Sequence, residues 1–348
     1  MKTTYISTIS LSDAARSQMM RQASNVNKLQ IELSSGRKAD VGLDLGSRTG
    51  EAVSLRSEFH YLNSIVDTNA LSASRLDISQ AAMGDILSNA QDFLASLVAI
   101  RDSDGNAGVA RAEAEGGLEL LTSRLNTQLN GSYLFAGLNS DVVPLNNYGD
   151  ATQPNKISAD AAFLTEFGFD QDNAGVATIT AAQMDTYLNG NFAALFDDPA
   201  WGLDWSSASD QEVLTRISTS EVTSTSVSAN EEPFRELAQV YTMMSDLGNE
   251  QLEPEVFEVV VDKAISMLGS AIAGVTGLMG ELGTAQERVA LASDRLTIQT
   301  DILNERINAL ENVNLEETSV RLNTALTQLE TTYAISARIQ QLSILNYI

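Results

Sequence analysis

The sequence predicts a mainly α-helical fold: a long antiparallel coiled-coil or helix-bundle rod from the N- and C-terminal regions, with an inserted α+β domain. Three observations predict it. A column of eight apolar residues, each seven apart, runs from Val261 to Leu310 with no polar interruption. Weaker heptads recur near the N-terminus. All five prolines and both tryptophans lie between Pro144 and Pro254, and a helical seam does not tolerate proline in its interior.

The most regular stretch is a helix predicted from about Pro254 to Asn312. A seam that repeats every 3.5 residues must face another helix along its length. At 1.5 Å per residue this helix would be about 85 Å long, which exceeds the diameter of a compact domain and predicts a rod. Five glycines in its first half each weaken it by about 1 kcal/mol relative to alanine, so we expect a bend or a close helix contact there.

At the N-terminus, the polar segment 1–10 is predicted to be disordered or extended. Met1 to Ser12 contains no apolar core of a signal peptide, so we expect no cleavable secretory signal. An amphipathic helix follows over about 11–33, and Gly36 is suited to end it.

Two further helices are predicted at about 51–101 and 109–130. The seam of the first is interrupted by polar residues at Asn69, Ser72 and Ser79, which can fix the register between helices at some cost in stability. A short connection between the two helices predicts that they pack antiparallel.

The middle of the chain, about 139–230, loses the helical period and is predicted to be the inserted α+β domain. Thr180 is a suitable N-cap for a short helix over 181–188. Residues 213–217 and 222–227 alternate apolar residues with Ser or Thr, as half-buried strands do.

Helix resumes near Glu232, where one face is apolar, and a last helix begins at Leu315 after a slip in the heptad phase. The domain organisation predicted from these elements comprises terminal helices at 1–36 and 313–348, a helical rod at 37–138 and 231–312, and the insertion at 139–230.

The seam positions are the candidate functional residues, because they would form the interfaces of the rod and between subunits. They are Leu29, Leu33, Leu62, Leu76, Met83, Leu97, Leu282, Val289, Leu296, Leu303, Leu310, Leu322, Leu329, Ile339, Leu342 and Leu345. A self-contained helical bundle would use the same residues, so the sequence leaves the two alternatives open.

Composition excludes several classes of function. The formal net charge of −25 provides no basic stripe for nucleic acid and disfavours docking on an anionic membrane. The chain contains no cysteine, which removes disulfides and thiolate chemistry. The longest apolar runs are too short for a transmembrane helix, so we expect no membrane insertion.

Candidate catalytic and ligand sites are weak, and we predict a non-enzymatic protein without catalytic residues, metal or cofactor. Asp102, Asp104, Asn106 and Glu113 have the spacing of a calcium loop, but Ala107 stands where glycine is needed, which favours a simple helix–helix turn. His60 is the only histidine and is expected on a helix surface.

The pair Trp201 and Trp205 could bind a glycan or a partner, but more often such a pair forms the core of a small domain. A glycan-binding or hydrolytic function of the insertion remains a distant alternative.

Four blocks resemble the flagellin superfamily. Leu33-Ser-Ser-Gly-Arg-Lys-Ala-Asp40 and Gly280-Glu-Leu-Gly-Thr-Ala-Gln-Glu-Arg288 are similar to patterns shared across it. Asn130-Gly-Ser-Tyr-Leu-Phe-Ala-Gly137 and Glu311-Asn-Val-Asn-Leu-Glu-Glu317 resemble blocks of its hook–filament junction members. The resemblance covers about 1–140 and 232–348, and Ser226-Val-Ser-Ala-Asn230 is a weaker match.

This resemblance implies a structural subunit of the bacterial flagellum at the hook–filament junction, secreted by the flagellar type III system. It also implies terminal helices that pair on assembly. The implied partners are an adjacent hook-associated protein, flagellin, copies of the chain itself, an export chaperone and the export apparatus. Filament flagellin is the alternative, although filament flagellins often carry an arginine-rich stretch where residues 89–100 here are nearly uncharged.

Overall fold

This computed structural model describes residues 8–102 and 107–345. For residues 8, 9, 11, 12, 102 and 339–345 it describes the backbone alone. The α-helices are α1 (Thr8–Ser35), α2 (Val41–Leu45), α3 (Thr49–Asp102), α4 (Ala107–Leu125), α5 (Pro154–Phe167), α6 (Ala181–Asn189), α7 (Glu232–Asp246), α8 (Pro254–Glu311) and α9 (Leu315–Leu345). Two short antiparallel hairpins join β1 (Gln128–Leu129) to β2 (Ser132–Tyr133) and β3 (Leu214–Arg216) to β4 (Val222–Ser224).

The mainly α-helical fold class is confirmed, and so are the two long helices. The predictions of 51–101 and 254–312 match α3 and α8 to within two residues at each end. Helix α6 begins as predicted at a capping box, in which Thr180 and Gln183 satisfy each other's backbone amides. Gly36 ends α1 with φ of +70°, the left-handed geometry that favours glycine.

The prediction of a helix over 109–130 was wrong at its C-terminal end, because α4 ends at Leu125. The next residue, Asn126, turns the chain by hydrogen bonding through its side-chain amide to both the N–H and the carbonyl of Leu145, each at 2.9 Å. Asn130 and Gly131 then have φ of +53° and +82° and form the tight turn of the β1–β2 hairpin. Asn-Gly is a strong sequence signal for such a turn.

Helix α5 was not predicted, although its sequence contains both end signals. Pro154 occupies the first turn, where its missing N–H costs nothing, and Gly168 ends the helix with φ of +80°. The insertion is therefore more helical than its composition suggests, and its only described sheet is the β3–β4 hairpin.

The chain divides into two compact units, and the first consists of Met1–Asn63 and Thr297–Ile348. In its described part, α1 and α9 pack antiparallel, with Arg37 and Asn312 paired in a β-bridge beside the helix ends. The core between α1 and α9 is small: Val26, Leu29 and Ala325 are buried there, and three partly buried leucines pack against them.

The second unit, Ser64–Leu296, is organised around α7. The sequence predicted one apolar face for α7, but the structure buries it on all sides: every residue from Leu237 to Ser245 is buried. Its core is continuous with side chains of α3, α4 and α8 and with the insertion.

The insertion contributes a chain of aromatic rings to this same core. Trp201 and Trp205 are 1% and 2% exposed and stack with their ring centroids 5.6 Å apart. Trp205 also stacks on Tyr148, and the rings continue through Phe196 to Phe192. The prediction that the tryptophans form a core is confirmed, and neither ring is available to stack on a sugar.

Two glycines let neighbouring helices approach α7 closely. A Cβ atom on Gly117 of α4 would lie 2.4 Å from the ring of Tyr241, and one on Gly274 of α8 would lie 2.4 Å from Cγ of Pro233. The close helix contact expected among the glycines of α8 is therefore present at Gly274.

The adjacent glycines of α4 provide a matched test of this packing. We expect Gly117→Ala to destabilise the protein by about 1–3 kcal/mol, because the new methyl group overlaps Tyr241. Gly116→Ala, with no atom within 4 Å, should instead stabilise it by up to about 1 kcal/mol through helix propensity. Urea unfolding of both variants checks this, and equal effects would show that the close approach does not matter.

Candidate assembly surfaces

The first and last motif blocks meet in the first unit. The carbonyl of Gly36 accepts a hydrogen bond from the N–H of Val313 at 3.0 Å. Lys38 donates its backbone N–H to the carbonyl of Glu311 at 2.8 Å, and its Nζ to the carbonyl of Leu310 at 2.6 Å. The 33–40 block and the 311–317 block therefore form one joint, which turns the chain between α8 and α9 against the end of α1.

An ion pair between a buried carboxylate and an exposed guanidinium lies at the centre of this joint. The Glu311 carboxylate belongs to a residue that is 0% exposed, and Arg56 of α3 grips it with a forked contact. Arg56 Nε lies 2.6 Å from Oε1, and Nη2 contacts Oε2. Hydrogen bonding to the Glu311 carboxylate raises the pKa of Arg56, which is the effect of an anion that favours the charged guanidinium.

The structure buries most of the predicted seam residues within the chain itself. Buried are Leu29, Leu62, Leu76, Met83, Leu97, Leu282, Val289, Leu296, Leu303 and Leu310. Partly buried are Leu33, Leu322 and Leu329. The side chains of Ile339, Leu342 and Leu345 lie outside the described residues. Contact of any of these residues with another subunit stays a prediction.

Exposed apolar side chains are concentrated in the first unit. Of 23 large hydrophobic side chains exposed in the described part of the chain, 11 belong to this smaller unit. They are Met20, Ile31, Leu43, Val53, Tyr61, Ile298, Ile302, Leu315, Val320, Tyr333 and Ile335. In the described part of the chain, the first unit therefore exposes more large apolar side chains for its size than the second unit.

Helix α9 presents an uncharged stripe away from α1. At 100° per residue, Val320, Thr324, Thr327, Thr331 and Ile335 share the side of α9 opposite Leu322, which packs on the core with α1, and all five are exposed. Each threonine hydroxyl on this stripe donates to a backbone carbonyl three or four residues earlier, at 2.9–3.0 Å. The hydroxyl hydrogens are thus paired internally, and packing of the stripe against another helix would leave no threonine donor unpaired.

A second joint connects the Asn130–Gly137 block to the weaker 226–230 match. Ala229 donates its N–H to the carbonyl of Phe135 at 2.8 Å. Gly137, at φ of +59°, lies so close to the Ser209 carbonyl that a Cβ atom would be 2.3 Å from it. No side chain larger than hydrogen fits at Gly137 without displacing that backbone.

Asn230 is the hub of this second joint. Its Oδ1 accepts hydrogen bonds from Trp201 Nε1 at 2.9 Å and Ser206 Oγ at 2.6 Å. Its Nδ2 donates to the carbonyl of Ala208 at 3.0 Å and to Asp210 Oδ1 at 2.7 Å. With all of its hydrogen-bonding capacity used, Asn230 fixes the insertion to the start of α7.

The Gly280–Arg288 block binds other elements of the second unit. Gln286 donates to Asp77 of α3 at 2.7 Å. Arg288 donates to Glu221, in the turn between β3 and β4, through Nε at 3.1 Å and Nη2 at 3.0 Å. Arg295, two turns further along α8, donates through Nη2 to the other carboxylate oxygen of Glu221 at 3.3 Å.

One partly buried polar network lies between α5 and α7. Lys156 Nζ is 2.9 Å from Asp246 Oδ2 and also contacts Asp160, while the Tyr148 hydroxyl donates to Asp246. Burial raises the pKa of Asp246, and burial together with the neighbouring Asp246 raises the pKa of Tyr148. The groups satisfy one another and hold α5 on α7, so the network has a structural explanation.

The described residues contain no cluster of three or more His, Asp or Glu side chains that could hold a metal ion. Of the residues with calcium-loop spacing, for which a simple turn is predicted, Asp102, Asp104 and Asn106 lie outside the residues whose side chains are described, and Glu113 is exposed. His60 is exposed on α3, as predicted. No helix in the described ranges is long and apolar enough to cross a membrane.

Comparisons with known proteins identify both ends of the chain. The model of the bacterial flagellin N-terminal helical region matches residues 6–140, and the model of the flagellin C-terminal helical region matches residues 265–348. No curated protein sequence matches the chain. Among solved structures, a Vibrio parahaemolyticus protein assigned as a flagellar hook-associated protein is 11% identical, with a TM-score of 0.38. That alignment covers 77% of this chain and 94% of the Vibrio chain.

The ion pair in the first joint predicts a large effect of a single substitution. Arg56→Met leaves the buried Glu311 carboxylate without its guanidinium donors, and we expect a loss of about 1–3 kcal/mol in local stability. Arg48→Met is the control, because Arg48 and its partner Glu51 are both exposed and such pairs contribute about 0–1 kcal/mol. Hydrogen exchange of the amides from 307 to 313 measures the difference. Equal protection in the two variants would contradict the assigned role of Glu311.

Proposed function

The chain belongs to the flagellin family of structural flagellar proteins, and from this premise we propose that it is the subunit that links hook to filament, of the hook-associated protein 3 type. In this proposal the chain is secreted by the flagellar type III system and occupies the hook–filament junction outside the cell. The single observation that carries the proposal is the Asn130–Gly137 block, which resembles junction proteins more than filament flagellins.

The packing of the first unit supports assembly through the terminal helices. Helices α1 and α9 have 28 and 31 residues, yet only three buried hydrophobic residues form the described core between them. Helices of this length gain most of their stability from tertiary packing, so the pair is incompletely stabilised by the chain alone. The exposed uncharged stripe of α9 supplies a surface that neighbouring subunits can cover.

The partners follow from this position. Copies of the chain would surround each subunit, another hook-associated protein would lie on the hook side and flagellin on the filament side. An export chaperone and the export apparatus would bind the chain before assembly. A formal charge of −25 favours solubility at high concentration, which suits a secreted subunit. Without cysteine, the chain folds outside the cell without disulfides.

Filament flagellin is the second candidate, and the observation that favours it is the match of both ends to flagellin family models. The two candidates differ in abundance. A filament flagellin would be the main mass of the filament, whereas a junction protein would be a trace component. No specific observation favours catalysis or glycan binding by the insertion.

Deleting the gene tests the proposal directly. We expect cells with hooks that lack filaments and with unassembled flagellin in the medium, because filament subunits have no junction on which to polymerise. Electron microscopy of the cells and quantification of flagellin in the medium measure both outcomes. Expression of the full chain from a plasmid should restore filaments and serves as the control.

Two other outcomes of the deletion are informative. Loss of the major filament protein itself, with no other flagellin in the medium, would identify the chain as filament flagellin. Normal filaments on the deletion strain would contradict both assignments.

A further inference from the structure

One cation of the second unit lacks a polar partner among the described residues. Among the described lysines and arginines, Arg75 of α3 is the one that is partly buried and has neither an ion pair nor a hydrogen bond. Its Nε is fully shielded from solvent and has no acceptor among the described residues. The other partly buried cations without an ion pair, Lys38 and Lys263, each donate to an oxygen of the chain.

The absence of a partner is unusual in this composition. The chain has 46 acidic residues and only 21 basic ones, so most arginines are expected to have a carboxylate within reach. Burial without a compensating charge lowers the pKa of Arg75, and no carboxylate acts to raise it. The guanidinium is therefore partly desolvated and offers a fork of donors to a carboxylate.

The surface beside Arg75 is suited to contact rather than to hydration. Leu71, one turn earlier on the same face of α3, is 50% exposed, and Ile78, one turn later, packs on the core. The nearby hydroxyls of Thr68 and Ser74 donate to carbonyls of α3, at 2.9 and 3.1 Å. The face therefore offers one unpaired cation, an exposed leucine and hydroxyl groups whose hydrogens are already in use.

We propose that the Leu71–Arg75 face of α3 is an interface with a second copy of this chain, which supplies an Asp or Glu carboxylate to the Arg75 guanidinium. Charge complementarity favours a partner that supplies carboxylates, and a second copy of the chain carries 46 Asp and Glu residues. The inference rests on the proposed function only in requiring that copies assemble side by side. Arg75 is then the residue of this subunit that binds a carboxylate of the neighbouring copy.

A photo-crosslinking experiment on assembled flagella tests this interface. A benzophenone-bearing side chain replaces Leu71 in the full chain, and the cells are irradiated after assembly. We expect an adduct of twice the chain mass, and mass spectrometry should locate the crosslink close to an Asp or Glu of the second copy. The same group placed at Leu164, which is 51% exposed on α5, sets the background yield.

Charge variants of Arg75 test the role of the guanidinium. Arg75→Glu in the Leu71-labelled chain should lower the adduct yield by about tenfold or more, because it opposes like charges across the interface. Arg75→Lys should retain part of the yield, since it keeps the charge and loses the fork. Arg216→Glu makes the same charge change at an exposed position and should leave the yield unchanged.

A separate measurement excludes a folding defect. Arg75→Met should leave the urea unfolding midpoint of the monomer unchanged or raised, because Arg75 has no partner in the described part of the chain to lose. An adduct with a protein of different mass, background yield at Leu71, or full yield in Arg75→Glu would each overturn the proposed interface. A deletion strain with normal filaments would overturn the junction function alone, and loss of the adduct with the deletion phenotype intact would overturn the interface alone.

Discussion

The second unit depends on the burial of α7, which is enclosed from Leu237 to Ser245. A helix buried on every side must be approached by its neighbours from several directions, and bulky residues at every crossing would hold those neighbours apart. Gly117 and Gly274 remove the side chain at two such crossings, against Tyr241 and Pro233. The insertion then completes the enclosure with its aromatic rings, so it is part of the same core and not an independent appendage.

The motif blocks serve this architecture by fixing the backbone where elements meet. Gly36 allows the left-handed end of α1, and Asn130 with Gly131 makes the first hairpin turn. Gly137 allows two backbone segments to touch, and Arg288 holds the β3–β4 turn. Their side chains and conformations have structural explanations, which agrees with a protein whose function is to present surfaces.

The sequence predicted the elements whose signals are local and repeated. Heptads located α3 and α8 because a long seam leaves one interpretation, and Thr180 located α6 because a capping box needs only adjacent residues. Contacts between distant positions were not predictable in the same way. Glu311 and Arg56 are separated by most of the chain, and nothing in a carboxylate's own neighbours shows that it will be buried.

Predictions from composition were wrong where one residue type has more than one structural role. Five prolines in and around the insertion indicated irregular structure, yet Pro154 starts a helix because its missing N–H falls where helices leave amides unpaired anyway. The prediction of a single buried apolar face on α7 was incomplete, because the polar residues Gln239, Thr242 and Ser245 are buried as well. The Ser245 hydroxyl donates to the Thr242 carbonyl at 3.3 Å, whereas the Thr242 hydroxyl has no hydrogen-bond partner among the described residues.

The polar interruptions of the α3 seam solve a problem that the apolar residues cannot. A seam with a strict seven-residue repeat remains apolar after a shift of seven residues, so leucines alone do not determine how α3 and α8 align. Asn69 donates to Ser293 at 3.1 Å and to the carbonyl of Ile217 at 3.0 Å, and Gln80 donates to the carbonyl of Met279 at 2.8 Å. A shift by one heptad would keep the apolar contacts and leave the buried Asn69 without these partners. One antiparallel alignment of α3 and α8 is thereby selected, and with it the position of the β3–β4 hairpin on their surface.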